Sequence, residues 1–473
     1  MNGRPASEWR ELFVGVEREV PTLSGLRRYI NFDNAASTPA LRSVRDTVNA
    51  FLEWYASVHR GQGFKSRLST QAYEDARAIV ADFVGADSAL DEVIFVKHTT
   101  EAVNKLSRRL PLTKDAVVLV SIMEHHSNLL PWRERAQVET VEVGLDGRLD
   151  LDDLERKLRQ HAPRVALVAL SGASNVTGFV NPVHEAARLT HRYGAHIFVD
   201  AAQLAPHRAI SMRRHHDSSH LDFVAFSAHK LYAPYGSGAL IGPRAVFAKG
   251  VPDQVGGGTV EIVTRDEVVW TDGPDRDEAG SPNVVGAVAL AAACQALQPL
   301  NMDRVACHER ILTGRLLRGL ANLPDVEVYG SADPAALDDR LGVVAFNVRG
   351  VHGALVAAAL AWEWAVGVRH GCFCAHPYVL DLLHVSPKQA HAVRQAIEAG
   401  DRRAVPGAVR VSFAPYNTEA EVDLFITALG AIAAGRFEAA YAQERATGEF
   451  APVGWTSEFA PFFSLAQAQG VPA

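Results

Sequence analysis

Between about Asp91 and Gly242 short apolar runs alternate with amphipathic stretches. "EVIFV", "AVVLVSI", "RVALVALS", "HIFVD" and "DFVAFS" are separated by segments of helical period such as "VHEAARLTHRYG". Short apolar runs read as buried strands, and the periodic segments between them read as helices that cover the sheet. This alternation predicts an α/β domain on a mostly parallel sheet. Ligands of such sheets bind beyond the carboxyl ends of the strands, so the residues just after each run are the ones to inspect for chemistry.

From roughly Met302 to Gly435 the pattern changes. "VACHERILTGRLLRGLANL" predicts a long helix, "VVAFNV", "AVGVR" and "AVRVSF" predict strands, and a further helix starts at Thr418. Together they predict a smaller α+β domain. Residues 254 to 283, rich in Gly and Pro, read as ordered loops joining the two regions. The expected division is an N-terminal arm over 1–28, a large domain over 29–300, a small C-terminal domain over 301–436 and a tail over 437–473. Trp455, Phe462 and Phe463 suggest that the tail packs on the body or on a partner subunit.

Composition narrows the function. The 473 residues are 48% hydrophobic and 21% charged, as in a globular chain, and the net charge of -7 provides no basic surface for nucleic acid or anionic lipid. The longest apolar run, "VVGAVALAAACQAL" from Val284, is too short for a bilayer, and the polar N-terminus lacks a signal-peptide core. A cytoplasmic protein that acts on a small molecule is expected. Four cysteines form no disulfide framework, and a reducing compartment keeps them as thiols.

Two residues at strand ends carry the chemical argument. "DFVAFSAHKLYAPYGSGALIG" runs a strand into Ser227, His229 and Lys230, and "HIFVDAAQ" ends in Asp200, followed by Gln203. Singly, Lys230 reads as a solvated loop lysine and Asp200 as a helix cap. Together they match the needs of pyridoxal phosphate, an amine for a Schiff base and a carboxylate that keeps the pyridine nitrogen protonated. Ser227 and His229 can hold the phosphate. Thr99 and Thr100 of "KHTTEAVN" precede a predicted helix, where hydroxyls and backbone N–H groups favour an anion as well as capping the helix. His125 of "SIMEHHSNLLPW" can stack on a flat ring or face solvent. Asn175 of "SGASNVTG" can donate to a ring oxygen or simply make a turn. In "RHGCFCAHPY", Cys372 and Cys374 admit four readings: half a metal site, a disulfide, buried filler or a reactive thiol. One C-x-C pair offers too few convergent ligands for zinc, so no metal is assigned.

With these motifs in view the chain resembles the class V aminotransferase-fold enzymes over roughly residues 29 to 435. "INFDNAAST", "SVHRG", "HTTEAVN", "MEHHSNLLPW", "SNVTG", "VDAAQ", "FSAHKLYAPYGSGAL", "EAGSPN" and "VRVSFAPYNTEAEVD" follow in the family's order. They look most like the cysteine desulfurase and selenocysteine lyase branch. The resemblance implies the fold type I architecture of aminotransferase-like enzymes dependent on pyridoxal 5'-phosphate. It further implies Lys230 as the Schiff-base lysine, Asp200 against the pyridinium nitrogen, His125 on the ring, and Asn175 and Gln203 near the ring hydroxyl. Thr99, Thr100, Ser227 and His229 would bind the phosphate, with Gly280 and Ser281 reaching it from the second subunit of a homodimer. Arg410 would clamp the substrate carboxylate with Arg369 nearby. Cys374 would take sulfur from L-cysteine as a persulfide, releasing alanine, with Arg369, His370 or His376 favouring its thiolate. The persulfide would then pass to an acceptor protein or thiol.

Two departures stand out. Cys372 occupies a position where bacterial desulfurases of this branch commonly have histidine, and "GCFC" is similar to the desulfurase domain of molybdenum cofactor sulfurases. The interval from Cys374 to Arg410 also holds an added helical segment near "SPKQAHAVRQAIEAG". The competing readings are a lyase for C–S or C–Se bonds, an epimerase or a transaminase of the same fold in which Cys374 is no nucleophile, and a silent scaffold that binds a sulfur-transfer partner.

Overall fold

Seven strands form the central sheet: β1 (Asp91–Val96), β2 (Val117–Ser121), β3 (Gln137–Val141), β4 (Val165–Ser171), β5 (His196–Asp200), β6 (Phe223–Ser227) and β7 (Gly238–Pro243). Their spatial order is β1-β7-β6-β5-β4-β2-β3. β2 to β6 pair in parallel, whereas β7 runs antiparallel to both β6 and β1. The fold is therefore α/β with a mostly parallel sheet, as the apolar rhythm predicts. This computed structural model describes residues 6–144 and 146–468; the outermost parts of the expected arm and tail, 1–5 and 469–473, lie outside them.

Two strands have no clear sequence signature. β3 lies at the sheet edge and is half-exposed, so its "QVETV" needs no continuous apolar run. β7 begins with Gly238 because neighbouring backbone comes close: a Cβ there would lie 2.6 Å from the Phe226 carbonyl oxygen.

Helices α1 (Arg42–Leu52) and α2 (Phe64–Val84) pack against the sheet together with the helix Val284–Leu297. That last helix is the longest apolar run of the sequence. It is apolar all round because it is buried between α1 and α2. Among the described residues no single helix is long and apolar enough to cross a membrane. The arm contributes Trp9 and Phe13 to the same core, so its first turn is an integral part of the fold.

A four-stranded antiparallel sheet forms the smaller part, with β8 (Val326–Val328), β9 (Val343–Val348), β10 (Arg369–Gly371) and β11 (Ala408–Ser412) in the order β8-β9-β11-β10. Leu312, Leu316 and Leu320 from the helix Met302–Ala321 and Phe425 and Leu429 from Glu419–Ala433 cover one face of it. "AVGVR" does not form one strand. Val366 and Gly367 pair in parallel with Ile30 and Asn31, and only Arg369–Gly371 joins the small sheet. The stretch 254–283 also contains more than loops, because Val260–Val263 and Val268–Trp270 form a hairpin with Ile262, Val263, Val268 and Val269 exposed. The segment after Cys374 includes the helix Pro387–Glu398, closed by a Ser386/Gln389 capping box and without a buried residue. In the tail Trp455 is half-buried against Trp362, with centroids 5.6 Å apart, while Phe462 and Phe463 are exposed.

Candidate functional site

The carboxyl ends of the central strands and the edge of the small sheet enclose a cavity of about 270 Å³. Its wall carries Thr99, Thr100, His125, Asn175, Asp200, Gln203, Ser227, His229, Lys230, Arg369, Cys374 and Arg410. Parallel strands bring Asp200 and Ser227 together, because β5 and β6 are neighbours and both end here. Lys230 follows one short turn of helix, Ala228–Lys230, beyond β6.

Asp200 is buried, and its Oδ1 accepts only from the Ala202 amide, at 2.9 Å, among the described residues. Burial raises its pKa against the pull of Lys230. The Lys230 amine has no hydrogen-bond partner among the described residues. Burial lowers its pKa to about 8, with Asp200 opposing and Arg410 assisting. Burial and the positive charges of Lys230, His126 and Arg410 push His125 down to about 3, so its imidazole is neutral. His229 falls to about 4 through burial beside Lys230 and His98.

One side of the cavity is a cluster of hydroxyls at the start of α3 (Thr99–Arg109). The Thr99 amide donates to Ser227 Oγ at 2.9 Å, and the Thr99 hydroxyl lies 2.8 Å from the same oxygen. Thr100 Oγ1 lies 2.6 Å from Ser127 Oγ, which is 2.9 Å from His125 Nδ1. Ser127 therefore links His125 to the hydroxyl cluster. The sequence reading passed over it inside "EHHSN", though a hydroxyl two residues past His125 was its signal. Beneath the cavity, Glu124 receives hydrogen bonds from Ser121, Asn128 and both the amide and hydroxyl of Ser171, and burial raises its pKa to about 7.

The opposite side is cationic. Arg369 and Arg410 stand directly across β10 and β11 from each other, and Asp33 joins them. Arg410 donates to Asp33 Oδ1 at 2.9 Å and to the Asn175 carbonyl at 3.0 Å, while Arg369 reaches Asp33 Oδ2 at 2.8 Å. Arg410 Nε is buried without a partner among the described residues. Asp33, which follows the short strand Ile30–Asn31 in "NFDNAAST", is a second residue passed over. It obeys the rule that picked out Asp200, a carboxylate just past a strand.

The cysteine loop enters between these two sides. Phe373 and Cys374 both adopt left-handed backbone conformations, with φ of +50° and +55°. Contacts from three segments hold them there. Asn175 Nδ2 donates to the Phe373 carbonyl at 2.7 Å, the His126 amide donates to the Cys374 carbonyl at 2.7 Å, and the Phe373 ring lies 4.9 Å from the Arg410 guanidinium. The two thiols differ. Cys374 is exposed on the cavity wall. Cys372 is buried among Met123, Val176 and Tyr378, donates to the Pro406 carbonyl at 3.1 Å, and is pushed up to about 11 by burial and by Cys374. Of the expected cations only Arg369 lines the cavity. His370 turns to Glu449 at 2.8 Å, and His376 stacks on His126 at 4.9 Å.

Gly280 and Ser281 do not join this cavity. Ser281 lines a second one of about 210 Å³ with Glu101, Gly236 and Asn283.

These groups fit pyridoxal phosphate: an amine without a hydrogen-bond partner and a buried carboxylate without an ion pair among the described residues, and hydroxyls at a helix start suited to a phosphate. Residues 30–425 match the family Aminotransferase class-V. A probable cysteine desulfurase of Halobacterium salinarum is 36% identical over 427 residues, covering 88% of this chain and 94% of that protein. The cysteine desulfurase of Dickeya dadantii is 34% identical over 408 residues, covering 84% and 90%. Among solved structures, the apo cysteine desulfurase of Thermococcus onnurineus matches with a TM-score of 0.75 and 33% identity, over 86% of this chain and 95% of that one. A cysteine desulfurase of Escherichia coli matches with a TM-score of 0.76 and 28% identity, over 92% and 100%. The chain belongs to the class V aminotransferase family of pyridoxal-phosphate enzymes, in its cysteine desulfurase branch.

Proposed function

We propose that this protein is a cysteine desulfurase dependent on pyridoxal phosphate, which takes sulfur from L-cysteine, releases L-alanine and keeps the sulfur as a persulfide on Cys374. The observation that carries the reading is the convergence of Lys230, Asp200, Arg410 and Cys374 on one cavity. When bound, the cofactor supplies an electron sink for the charge that develops at the substrate's α-carbon.

The chain's own groups do the rest. Lys230, with its amine eased toward the unprotonated form, holds the cofactor and moves the proton at the α-carbon. Asp200 would keep the ring nitrogen protonated, neutral His125 would stack on the ring, and Asn175 and Gln203 would hold its hydroxyl. Thr99, Thr100, Ser227 and His229 hold the phosphate. The unpartnered Nε of Arg410 gives the substrate carboxylate a donor that costs no existing bond, with Arg369 adding charge. Cys374 attacks as a thiolate: an S–S bond forms to the substrate sulfur, its C–S bond breaks, and the electron pair leaves with the carbon, which is then protonated to alanine. An acceptor protein or thiol removes the sulfur in a reducing cytoplasm. Gly280 and Ser281 complete the phosphate site of the second subunit in a homodimer.

Purified protein given L-cysteine should release alanine and gain one reducible sulfur on the peptide that holds both thiols. Cys374→Ser should keep the cofactor's visible absorbance and lose alanine release by on the order of a hundredfold or more, because a hydroxyl is a far weaker nucleophile than a thiolate. Cys372→Ser should have a milder effect. Parental turnover in Cys374→Ser would leave the lyase or transaminase reading in its place.

A further inference from the structure

At the amino ends of the same strands, about 13 Å along β5 from Asp200 by strand geometry, lies a histidine cluster that the proposed reaction does not use. His191 sits at the end of the helix Val183–Arg192, His196 opens β5, and His215 and His220 lie in the loop that leads into β6. Asp222, buried just before β6, stands at the centre. Its Oδ2 accepts from the Ile197 amide at 2.8 Å and faces His191 Nε2 at 2.8 Å. Its Oδ1 faces His196 Nδ1 at 3.0 Å and His220 Nε2 at 3.4 Å. The rings of His191 and His220 stack at 4.3 Å, and His215 stacks on His220 at 5.2 Å while turning its Nε2 to Asp91.

The backbone decides which ring nitrogens carry protons. His191 Nδ1 lies 2.8 Å from the Ser218 carbonyl, and His220 Nδ1 lies 2.8 Å from the Asp217 carbonyl. A carbonyl oxygen only accepts, so both Nδ1 atoms donate. In a neutral ring Nε2 is then a bare lone pair, and both lone pairs point at a carboxylate that also only accepts. Three acceptors facing one another require a cation. Protonating both rings would stack two like charges, whereas one divalent ion satisfies all three ligands.

The spacing suits such an ion. The three ligand atoms lie within 4.8 Å of one another. Tetrahedral bonds of about 2.0–2.1 Å put ligand atoms roughly 3.3 Å apart; His220 Nε2 already stands 3.4 Å from Oδ1, and His191 Nε2, 2.8 Å from Oδ2, has to open by only about half an ångström. An Nδ1–H held by a backbone carbonyl is also the outer arrangement that orients metal-binding imidazoles. We propose that His191 Nε2, His220 Nε2 and Asp222 bind one divalent transition-metal ion of the zinc type, with the fourth position left to water. The ion ties the end of the helix to the loop before β6, the strand that leads to Ser227 and Lys230.

The test uses the full chain with its cofactor, stripped of metal and titrated with Zn²⁺ against a chromophoric chelator. One Zn²⁺ per chain is expected in the parent and in Cys374→Ser, which removes the exposed thiol of the large cavity. In His191→Gln and in His220→Gln the affinity should fall at least about tenfold, as losing metal-site groups does elsewhere. Co²⁺ should give a tetrahedral visible spectrum without a sulfur-to-cobalt band. A measurement on folded Cys374→Ser alone guards against variants that fail to fold, because Zn²⁺ should raise its Tm by selective binding to the native state. No Zn²⁺ retained by Cys374→Ser, no rise in its Tm, or affinity unchanged in both histidine variants overturns the site.

Discussion

Lys230 owes its usefulness to a balance. Burial favours the uncharged amine, Asp200 favours the charged one, and the result is a pKa lowered to about 8. Only the unprotonated amine attacks the aldehyde of free pyridoxal phosphate. The rate at which cofactor-free protein captures the cofactor should therefore rise with pH through about 8 and level off above it, as stopped-flow absorbance would record. A flat profile from pH 7 to 9 would contradict this balance. Asp200 and Lys230 were legible in the sequence only as a pair, because singly each had a bland reading, a helix cap and a solvated loop lysine. Asn175 was legible only as one of two roles, and its amide contacts the Phe373 carbonyl 198 positions away. No local pattern announces such a partner. The same holds for the two thiols: nothing in "GCFC" tells which faces the cavity until the left-handed turn at Phe373 and Cys374 is seen.

Strands and loops divide along similar lines. Buried strands announce themselves by unbroken apolar runs, and β1, β2, β4, β5 and β6 were readable for that reason. β3 escaped because an edge strand with one wet face carries no such run, and the hairpin at 260–270 escaped because its Val and Ile side chains stay exposed. β7 has the sharpest physical constraint. At Gly238 a Cβ would meet the Phe226 carbonyl oxygen at 2.6 Å and His98 Cα at 3.1 Å. Gly238→Ala should force β7 away from β6 and from the start of α3, at about 1–3 kcal/mol, the usual cost of overpacking. Thr99 and Ser227 would separate with it. The expected outcome is a lower Tm together with faster loss of pyridoxal phosphate on dialysis, and a variant that matches the parent in both would show that the strands yield more easily than their spacing implies.

The molecule presents apolar surface that a single chain leaves uncovered. Ile262 and Val263 on the hairpin are more than half exposed, as is Phe64 at the start of α2, and exposed apolar surface of this kind marks association sites. Together with the position of Ser281 outside the large cavity, this surface argues for two copies per particle. Light scattering coupled to gel filtration should give about twice the chain mass of 51.2 kDa, and a catalytically active monomer would contradict the shared site. The way the cavity is stitched together has a further consequence during synthesis. Asp200, Ser227, Lys230 and all seven strands of the central sheet precede residue 244, whereas Cys374 and Arg410 lie far downstream. At common translation rates the ribosome needs roughly 10 to 30 seconds to add that interval. During that time the emerging chain holds the groups proposed to grip the cofactor but neither the thiol nor the arginine proposed for the sulfur chemistry, so on that reading cofactor loading can begin on the ribosome while sulfur chemistry waits for the last quarter of the chain.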